Sequence, residues 1–339
     1  MTSNPTIKDV AEKAHVSVAT VSRVLNDLPG FSAETEKRVH RAITELGYQY
    51  NAIARNLKTK KSNTIAVLIP RVETTFYVKI LDGIEDAAQD QGYSVMICHV
   101  GVSGQRTREY IRMLTERQVD GIVGCSLPPD EEIDKFMAEC GIPCVLVSTL
   151  SARYSIPYIR VDDRKASYAA TSYLVKKGHR KIAMLAGSQD DVVAGDLRTK
   201  GYRKALAENG IAPDDGLVEY TRFSYETGLQ AARHLLQSGK QFSAIVACCD
   251  EVAVAAISAA SEAGLRVPED FSVIGYDNTM TAEMSVPPLT TIAQPLYDMG
   301  KQAFEMLWAQ MERGEKVANK ILPFTIVERS SVKEIPAVP

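Results

Sequence analysis

Two groups of side chains in this sequence have the types and spacing needed for molecular recognition. The first lies in VSVATVSRVLN, residues 16–26, where hydroxyl, guanidinium and amide groups alternate with small apolar residues. Groups of this size and polarity reach base edges and phosphates when a short helix enters a DNA major groove. The side chains expected to face outward are Val18, Thr20, Ser22, Arg23 and Asn26. This first group therefore predicts contact with duplex DNA.

The second group follows the ends of β-branched segments that the sequence marks as strands. Its members are Arg71, residues 74–76, Ser126, Ser148, Asp162, Asp190, Asp191, Asp250 and Asp277. Ligands of open α/β sheets bind outside the carboxyl ends of the strands, so we expect these side chains to line one cleft. Carboxylates and an arginine bond to hydroxyls, and an aromatic ring stacks on a sugar face. The second group therefore predicts a polyhydroxyl ligand.

Catalysis and metal binding are not predicted. The sequence has no Walker loop, no G-x-S-x-G, no H-E-x-x-H and no G-x-G-x-x-G after a strand, and its five histidines are scattered. The six cysteines lie in apolar surroundings without a C-x-x-C pair, which is typical of structural thiols. We therefore expect no enzymatic activity, no cofactor and no metal ion.

Short helices must carry the first group. Two apolar stripes at helical spacing flank the break at residues 15–17: Ile7, Val10, Ala11 and Ala14 before it, and Ala19, Val21, Val24 and Leu25 after it. Ser17 has the N-cap position of the second helix. A third helix is predicted over residues 33–46, with Ser32 as its N-cap and Gly47 as its stop. The alternative is a helical hairpin that only packs against another part of the chain.

The charge distribution favours the interpretation as a DNA-binding head. The whole chain has a net charge of −3, but residues 1–60 hold nine Lys and Arg against six Asp and Glu. The head is therefore positive while the remainder is acidic, so the positive charge lies beside the helix pair, where phosphates would be bound. A short basic segment, residues 51–63, follows as a linker.

Beyond residue 63 the sequence predicts an α/β architecture. Strands are expected at 65–70, 94–100, 121–126, 143–148, 157–161, 181–187, 244–249 and 271–277. Amphipathic helical stretches such as 77–93 and 199–210 separate them. Apolar strands that alternate with helices indicate parallel sheets covered on both faces, and the number of repeats favours two doubly wound subdomains.

The segment TIKDVAEKAHVSVATVSRVLN resembles the N-terminal headpiece of the LacI/GalR family of bacterial repressors. The positions that match the family pattern are Thr6, Ile7, Asp9, Val10, Ala11, Ala14, Val16, Ser17, Thr20, Val21, Ser22, Arg23, Val24, Leu25 and Asn26. The resemblance implies an all-α helix-turn-helix headpiece at 1–50, a hinge at 51–63 and a periplasmic-binding-protein-like core at 64–339. In such a core the N-subdomain takes about 64–161 and 293–322, and the C-subdomain takes about 162–292 and 323–339.

The resemblance also assigns roles to individual residues. DNA contacts fall on Thr6, Ser17, Val18, Ala19, Thr20, Ser22, Arg23 and Asn26 in the head, and on Asn51, Ala54, Arg55, Leu57 and Lys58 in the hinge. In the family, the leucine at the position of Leu57 opens a base step in the minor groove, and the resulting kink is a common cost of such binding. For a small-molecule effector, the resemblance implies contacts at Phe76, Arg198, Phe223, Asp250 and Asp277, whereas Ser126, Ser148 and Asp162 are expected at the same site from their places at strand ends. Cys249 departs from the family pattern, which often has an amide or hydroxyl residue before this aspartate.

The function implied is a homodimeric transcriptional repressor that binds a pseudo-palindromic operator and responds to a small molecule, expected to be a sugar or a sugar derivative. A catabolite-control-type regulator, whose corepressor is a phosphorylated carrier protein, is the alternative. A solute-binding protein is a further one, but it would carry a signal peptide and no headpiece. No signal peptide and no apolar run of about 18 residues is visible, so a cytoplasmic protein without a membrane partner is expected. The tail SSVKEIPAVP lacks a leucine heptad, which favours a dimer over a tetramer.

Overall fold

In the computed structural model, the described residues are 5–25, 28–48, 61–72, 74–128, 130–151 and 153–336. They divide into two units, a head that ends at Lys61 and a core that begins at Ser62. Each unit has its own apolar core and is described separately below.

The described residues of the head form three helices, α1 (Ile7–Lys13), α2 (Val18–Leu25) and α3 (Ala33–Leu46). Its core is made of small apolar side chains: Val10, Ala11, Ala14, Val21, Val24, Val39 and Ala42. The turn between α1 and α2 reverses through His15, whose φ is 52°. The hydroxyl of Ser17 then accepts the amide of Thr20 at 3.1 Å, which satisfies a free N–H group at the start of α2.

Local capping also delimits α3, as the sequence predicts. The hydroxyl of Ser32 accepts the amide of Thr35 at 3.2 Å, and Gly47 ends the helix in the left-handed conformation with a φ of 62°. A left-handed terminus favours glycine because it has no Cβ to clash. Both the predicted N-cap and the predicted stop of this helix are confirmed.

The first part of the core alternates strands and helices. Its elements are β1 (Thr64–Ile69), α4 (Phe76–Asp90), β2 (Ser94–His99), α5 (Thr107–Glu116), β3 (Gly121–Cys125), α6 (Glu131–Glu139), β4 (Cys144–Val147) and β5 (Tyr158–Val161). The central strands β1 and β3 are almost wholly buried, which is why their sequences are continuous apolar runs rather than alternating ones.

The second part continues the same alternation. It contains α7 (Asp163–Lys176), β6 (Ile182–Ala186), a π-helical turn (Val192–Leu197), α8 (Arg198–Glu208), a 3₁₀ turn (Asp215–Leu217), β7 (Val218–Tyr220), α9 (Tyr225–Gln237), β8 (Ala244–Ala247), α10 (Asp250–Glu262), β9 (Ser272–Asp277), α11 (Met280–Met284) and β10 (Thr290–Ala293). The chain ends with α12 (Leu296–Arg313), β11 (Lys320–Leu322) and β12 (Thr325–Val327).

These strands form two sheets. The first sheet has the order β11-β5-β4-β3-β1-β2 and the second has the order β12-β10-β9-β8-β6-β7. Every pairing in the first sheet is parallel, whereas β12 runs antiparallel to β10 at the edge of the second. The predicted pair of doubly wound parallel sheets is therefore confirmed, with one antiparallel edge strand that the sequence pattern did not indicate.

The chain passes between the two sheets three times, after β5, after β10 and after β11. The longest helix, α12, returns to the first sheet and packs against α4. Glycines allow this close crossing, since a Cβ on Gly83 would lie 2.1 Å from the carbonyl oxygen of Tyr297. A Cβ on Gly300 would likewise lie 2.0 Å from the carbonyl oxygen of Ile80. Among the described residues, no helix is long and apolar enough to cross a bilayer.

Candidate DNA-binding and effector sites

The recognition surface of the head is the exposed side of α2. Val21 and Val24 are buried in the head core, whereas Val18 is 41% exposed and Ala19 and Arg23 are exposed. Ala19 was expected in the buried stripe, and that expectation is wrong. Residues two apart on a helix point about 200° from each other, so Ala19 cannot share a face with Val21.

Most polar groups on this surface are held by local hydrogen bonds. Thr6 donates both its amide and its hydroxyl to Asp9, at 2.6 and 2.7 Å. These bonds lower the pKa of the Asp9 carboxyl, the bond from the Thr6 amide contributing most. The hydroxyls of Ser17 and Thr20 lie 2.9 Å apart, and Arg23 donates to the carbonyl of Pro29 at 3.1 Å. Ser22 is half-buried. These bonds hold the side chains in one arrangement before any ligand is present.

Six predicted DNA contacts lie outside the residues that the structure describes. They are Asn26, Asn51, Ala54, Arg55, Leu57 and Lys58. They remain predictions from the sequence.

The centre of the candidate effector site is a buried arginine. Arg198 follows the π-helical turn and is only 5% exposed. Its Nε donates to Oδ1 of Asp163 at 2.9 Å, its Nη1 donates to the carbonyl of Cys248, and its guanidinium lies 3.6 Å from the ring centroid of Tyr276. The Tyr276 hydroxyl donates to the same carboxylate oxygen at 3.1 Å. A buried charge persists only when it is paired and hydrogen-bonded in this way.

Asp163 was not selected from the sequence, whereas its neighbour Asp162 was. The structure places Asp162 at the N-cap of α7, where it accepts the amide of Lys165 at 3.1 Å and pairs with the ammonium of the same residue. Asp163 is 2% exposed and lies on the buried face of α7. One signal could have identified it, since Asp163 is spaced three and seven residues from the buried Ala166 and Ala170, which is the period of a helix face.

Asp277 provides a second buried carboxyl group at the carboxyl end of β9. Its Oδ1 accepts the side-chain amide of Gln294 at 2.7 Å. Among the residues that the structure describes, none donates to its Oδ2. Burial raises the pKa of this carboxyl well above its usual range, and the nearby charge of Arg198 opposes that rise. The group therefore has an acceptor to offer to a ligand that supplies hydrogen-bond donors.

Strained backbone positions mark the same edge of both sheets. Eight non-glycine residues in the described part of the chain have a positive φ, and five of these lie at or shortly after the ends of strands. They are Ser126 (45°), Ser148 (54°), Phe223 (58°), Asp277 (117°) and Asn278 (57°). Such conformations cost free energy and are concentrated at binding sites, where the surrounding structure holds them in place. Four of the five are residues that the sequence predicted for the cleft.

The first sheet contributes hydroxyls and aromatic rings to this edge. The Oγ of Ser148 is buried without a hydrogen-bond partner among the described groups. Phe76 is half-buried at the start of α4, and its ring stands edge-on to Tyr77 with the centroids 5.1 Å apart. From the second sheet, the ring of Phe223 covers Gly187, because a Cβ on that glycine would lie 2.3 Å from its Cζ.

Asp250 has an internal role in this structure. It is 1% exposed, and its Oδ2 accepts the amide and the hydroxyl of Thr279 at 2.7 and 3.0 Å. Its Oδ1 accepts the hydroxyl of Thr291 at 2.6 Å. Burial raises the pKa of this carboxyl to about 6, against the effect of these bonds. Both oxygens are therefore used to join α10 to the segment after β9 and to β10.

The arrangement suits a ligand with neighbouring hydroxyls. In the described structure, Nη2 of Arg198 has no protein acceptor, Oδ2 of Asp277 has no protein donor, and Oγ of Ser148 has neither. A ligand hydroxyl can accept a hydrogen bond from Arg198, donate one to Asp277, and either donate to or accept from Ser148. Phe76 and Phe223 supply apolar rings nearby.

The chain is similar to known bacterial regulators over nearly its whole length. Residues 6–51 match the family described as "Bacterial regulatory proteins, lacI family". Residues 62–327 match the family described as "Periplasmic binding proteins and sugar binding domain of LacI family". Catabolite control protein A of Priestia megaterium is 35% identical over 332 residues, which cover 97% of this chain and 100% of that protein.

Two solved structures extend the likeness to three dimensions. The lac repressor dimer bound to operator and the anti-inducer ONPF is 30% identical, with a TM-score of 0.88 over 98% of this chain and 100% of that one. The transcriptional regulator CelR in complex with cellobiose is 32% identical, with a TM-score of 0.75 over 96% of this chain and 99% of that one. With the helix-turn-helix head and the two-sheet core already in place, these matches show that the chain belongs to the LacI family of bacterial DNA-binding transcriptional regulators.

Proposed function

We propose that this protein is a homodimeric repressor whose operator affinity is controlled by a neutral sugar or sugar derivative bound between the two sheets. The observation that carries the effector assignment is that Arg198, Asp277 and Ser148 each have a polar atom left unpaired by the described protein groups, with Asp277 and Ser148 at the carboxyl ends of strands in the two sheets. The solved complex of the relative CelR with cellobiose supports a sugar as the class of ligand.

The charges of the site favour a neutral effector. Arg198 is already paired with Asp163, and Asp277 has only an amide partner. An anionic ligand would therefore meet a guanidinium whose charge Asp163 already balances, beside a carboxyl group that burial holds toward its neutral form. A polyol adds no charge and can satisfy all three groups, so the effector class that we infer is a neutral sugar.

The DNA partner is inferred from the exposed side of α2. Val18 and Ala19 are small and apolar, which suits contact with the thymine methyl group rather than a hydrogen-bond code. Two heads related by a two-fold axis require a pseudo-palindromic operator. Because bacterial DNA lies in the cytoplasm, we propose that the protein acts there, with no catalytic step.

An exposed apolar patch supports the dimer. Its members are Val72, Val78, Met280, Met284 and Val286, the last of which is 86% exposed. The hydroxyls of Thr75 and Thr281 lie 3.3 Å apart, which brings the two contributing segments together. Patches of this kind on a soluble protein mark interfaces, and an identical patch on a second copy would meet it across a two-fold axis. The lac repressor relative is described as a dimer.

A catabolite-control-type regulator is the second candidate, because catabolite control protein A is among the relatives. Recognition of a phosphorylated protein requires a cluster of Arg and Lys. The exposed charged side chains of α4 and α12 are mainly acidic: Lys79, Asp82, Glu85, Asp86, Asp90, Asp298, Lys301, Glu305, Glu312 and Arg313. This face therefore favours the small-molecule effector over a phosphorylated carrier protein.

The proposal can be tested by titration calorimetry with a panel of neutral mono- and disaccharides, including cellobiose, alongside purine bases and a phosphorylated carrier protein. A neutral sugar should bind the wild type, and Asp277→Asn should weaken that binding about 100-fold, because the amide places an N–H donor where the free carboxyl oxygen Oδ2 accepts from the ligand. The variant should keep its operator affinity and lose its response to the sugar.

Asp215→Asn is the matched control, because Asp215 is an exposed aspartate that pairs with Arg203 on the surface of the second half of the core. It should bind the sugar as the wild type does. Equal sugar affinity in Asp277→Asn and the wild type would contradict the assigned site. Binding of only the phosphorylated carrier protein would favour the second candidate.

A further inference from the structure

One hydrogen bond crosses from the first sheet to the loop that carries Phe223. Arg71 lies two residues after β1, and its Nη1 donates to the carbonyl oxygen of Phe223 at 3.2 Å. Its donor and acceptor belong to different sheets and are 152 residues apart in sequence. This bond therefore exists only while the two carboxyl edges face each other closely.

The acceptor carbonyl is held firmly in place. Phe223 has a φ of 58°, and its amide donates to the hydroxyl of Thr221 at 3.4 Å. That hydroxyl donates in turn to the carbonyl of Ala186 at 2.9 Å. The ring of Phe223 lies on Gly187, at the end of β6. The direction of the carbonyl is therefore linked to the placement of the ring beside the ligand.

Charge adds to the bond. Glu226 lies in the first turn of α9, three residues after Phe223. The pKa of its carboxyl is lowered mainly by its backbone amide and the Ser224 hydroxyl, and the positive charge of Arg71 lowers it further. The guanidinium thus faces both a neutral acceptor and a negative charge on the same loop, and a charged donor makes the stronger kind of hydrogen bond.

We propose that Arg71 is a positioning residue that holds the effector cleft closed by binding the Phe223 loop. A bond made only in the closed arrangement raises the population of that arrangement, so an effector that also favours closure needs to supply less free energy. When a ligand orders the ring of Phe223, the same loop presents its carbonyl to Arg71. The link between ligand binding and this contact rests on the proposed function.

The test is amide hydrogen exchange, followed by mass spectrometry, on the full-length protein without ligand. Arg71→Met keeps the length of the side chain and removes the donor. We expect exchange over residues 221–228 to rise roughly tenfold, because loss of a charged hydrogen bond shifts the opening equilibrium by about that factor. Arg71→Lys retains a charged donor and should give an intermediate rate.

Two controls distinguish a local effect of the Arg71–Phe223 bond from general destabilisation of the fold. Arg108→Met removes an exposed arginine that pairs with Glu132 rather than with the Phe223 loop, and this variant should show the exchange rates of the wild type. Peptides from β8 should keep their protection in Arg71→Met. Unchanged exchange over 221–228, or equal acceleration in β8, would overturn the proposal. Because no sugar is used, this outcome is independent of whether the sugar panel identifies an effector.

Discussion

The two halves of the cleft are built differently. The second sheet presents buried ionisable groups, with Arg198 stacked on Tyr276, bonded to Asp163 and close to Asp277. The first sheet presents the hydroxyls of Ser126 and Ser148, the ring of Phe76 and the half-buried cation of Arg71, while Arg160 of β5 pairs with Asp163 at 3.3 Å. A pre-paired ionic network holds its donors and acceptors in fixed positions, whereas a neutral wall with one long cation adapts to movement. We infer that the second half specifies the ligand and the first half closes over it.

The largest expected effect is on the ionic half. Arg198→Met should lower the free energy of unfolding by about 3 kcal/mol, because the 2% exposed Asp163 carboxylate loses its shorter ion pair and keeps only the one with Arg160 at 3.3 Å. Arg71→Met, in the neutral half, should lower it by about 1–1.5 kcal/mol, which corresponds to the tenfold change expected for loss of the charged hydrogen bond to the Phe223 carbonyl. Urea unfolding of both variants measures this contrast.

A double variant tests whether pairing is the cause. Adding Asp163→Asn to Arg198→Met should recover part of the loss, because the buried charge that has lost its shorter ion pair is then removed. Strictly additive losses would show that Arg198 stabilises the fold by packing alone, and the contrast between the two halves would then not be electrostatic.

The next largest effect is the pH dependence of folding stability that Asp250 causes. Its pKa is raised from 3.8 to about 6 by burial, so between those values the folded state retains a proton that the unfolded state releases. Asp250 therefore contributes about 3 kcal/mol to the free energy of unfolding below about pH 4. This contribution is lost as the pH rises through about 6. Asp250→Asn does not titrate. Between about pH 4 and about pH 8, the wild type should therefore lose about 3 kcal/mol of unfolding free energy relative to this variant.

Urea unfolding at closely spaced pH values from 4 to 8 makes this measurement. The pH-independent cost of disturbing the bonds from Thr279 and Thr291 cancels when only the slope is compared. A difference that is flat with pH would mean that Asp250 is ionised in the fold as readily as in the unfolded chain.

The smallest effect belongs to the neutral half. Ser148→Ala should raise the free energy of unfolding by about 1 kcal/mol, because it removes a buried hydroxyl that lacks a partner among the described groups. The same change should weaken sugar binding about tenfold if that hydroxyl bonds to the effector. Ser258→Ala is the control, since its hydroxyl already donates to the carbonyl of Val254 at 3.1 Å. A stability loss in Ser148→Ala as large as in the control would remove Ser148 from the proposed site.

Sequence reasoning predicted the positions of this site better than the bonding within it. Ser126, Ser148 and Asp277 were selected because they end strands, and all three have a positive φ in the structure. Their side-chain partners could not be predicted in the same way. Gln294, which binds Asp277, lies 17 residues away, and nothing in its local pattern distinguishes it from a surface glutamine.

The sequence by itself determined the head, the alternation of strands and helices, and the edge at which ligand groups gather. Those features depend on caps, periodicity and chain direction, which act over a few residues. Only the tertiary structure decided that Asp163 rather than Asp162 meets Arg198, that Asp250 is used internally, and that Arg71 reaches Phe223. Those choices depend on burial and on contacts between residues 35, 41 and 152 positions apart, where packing rather than local conformation selects the partner.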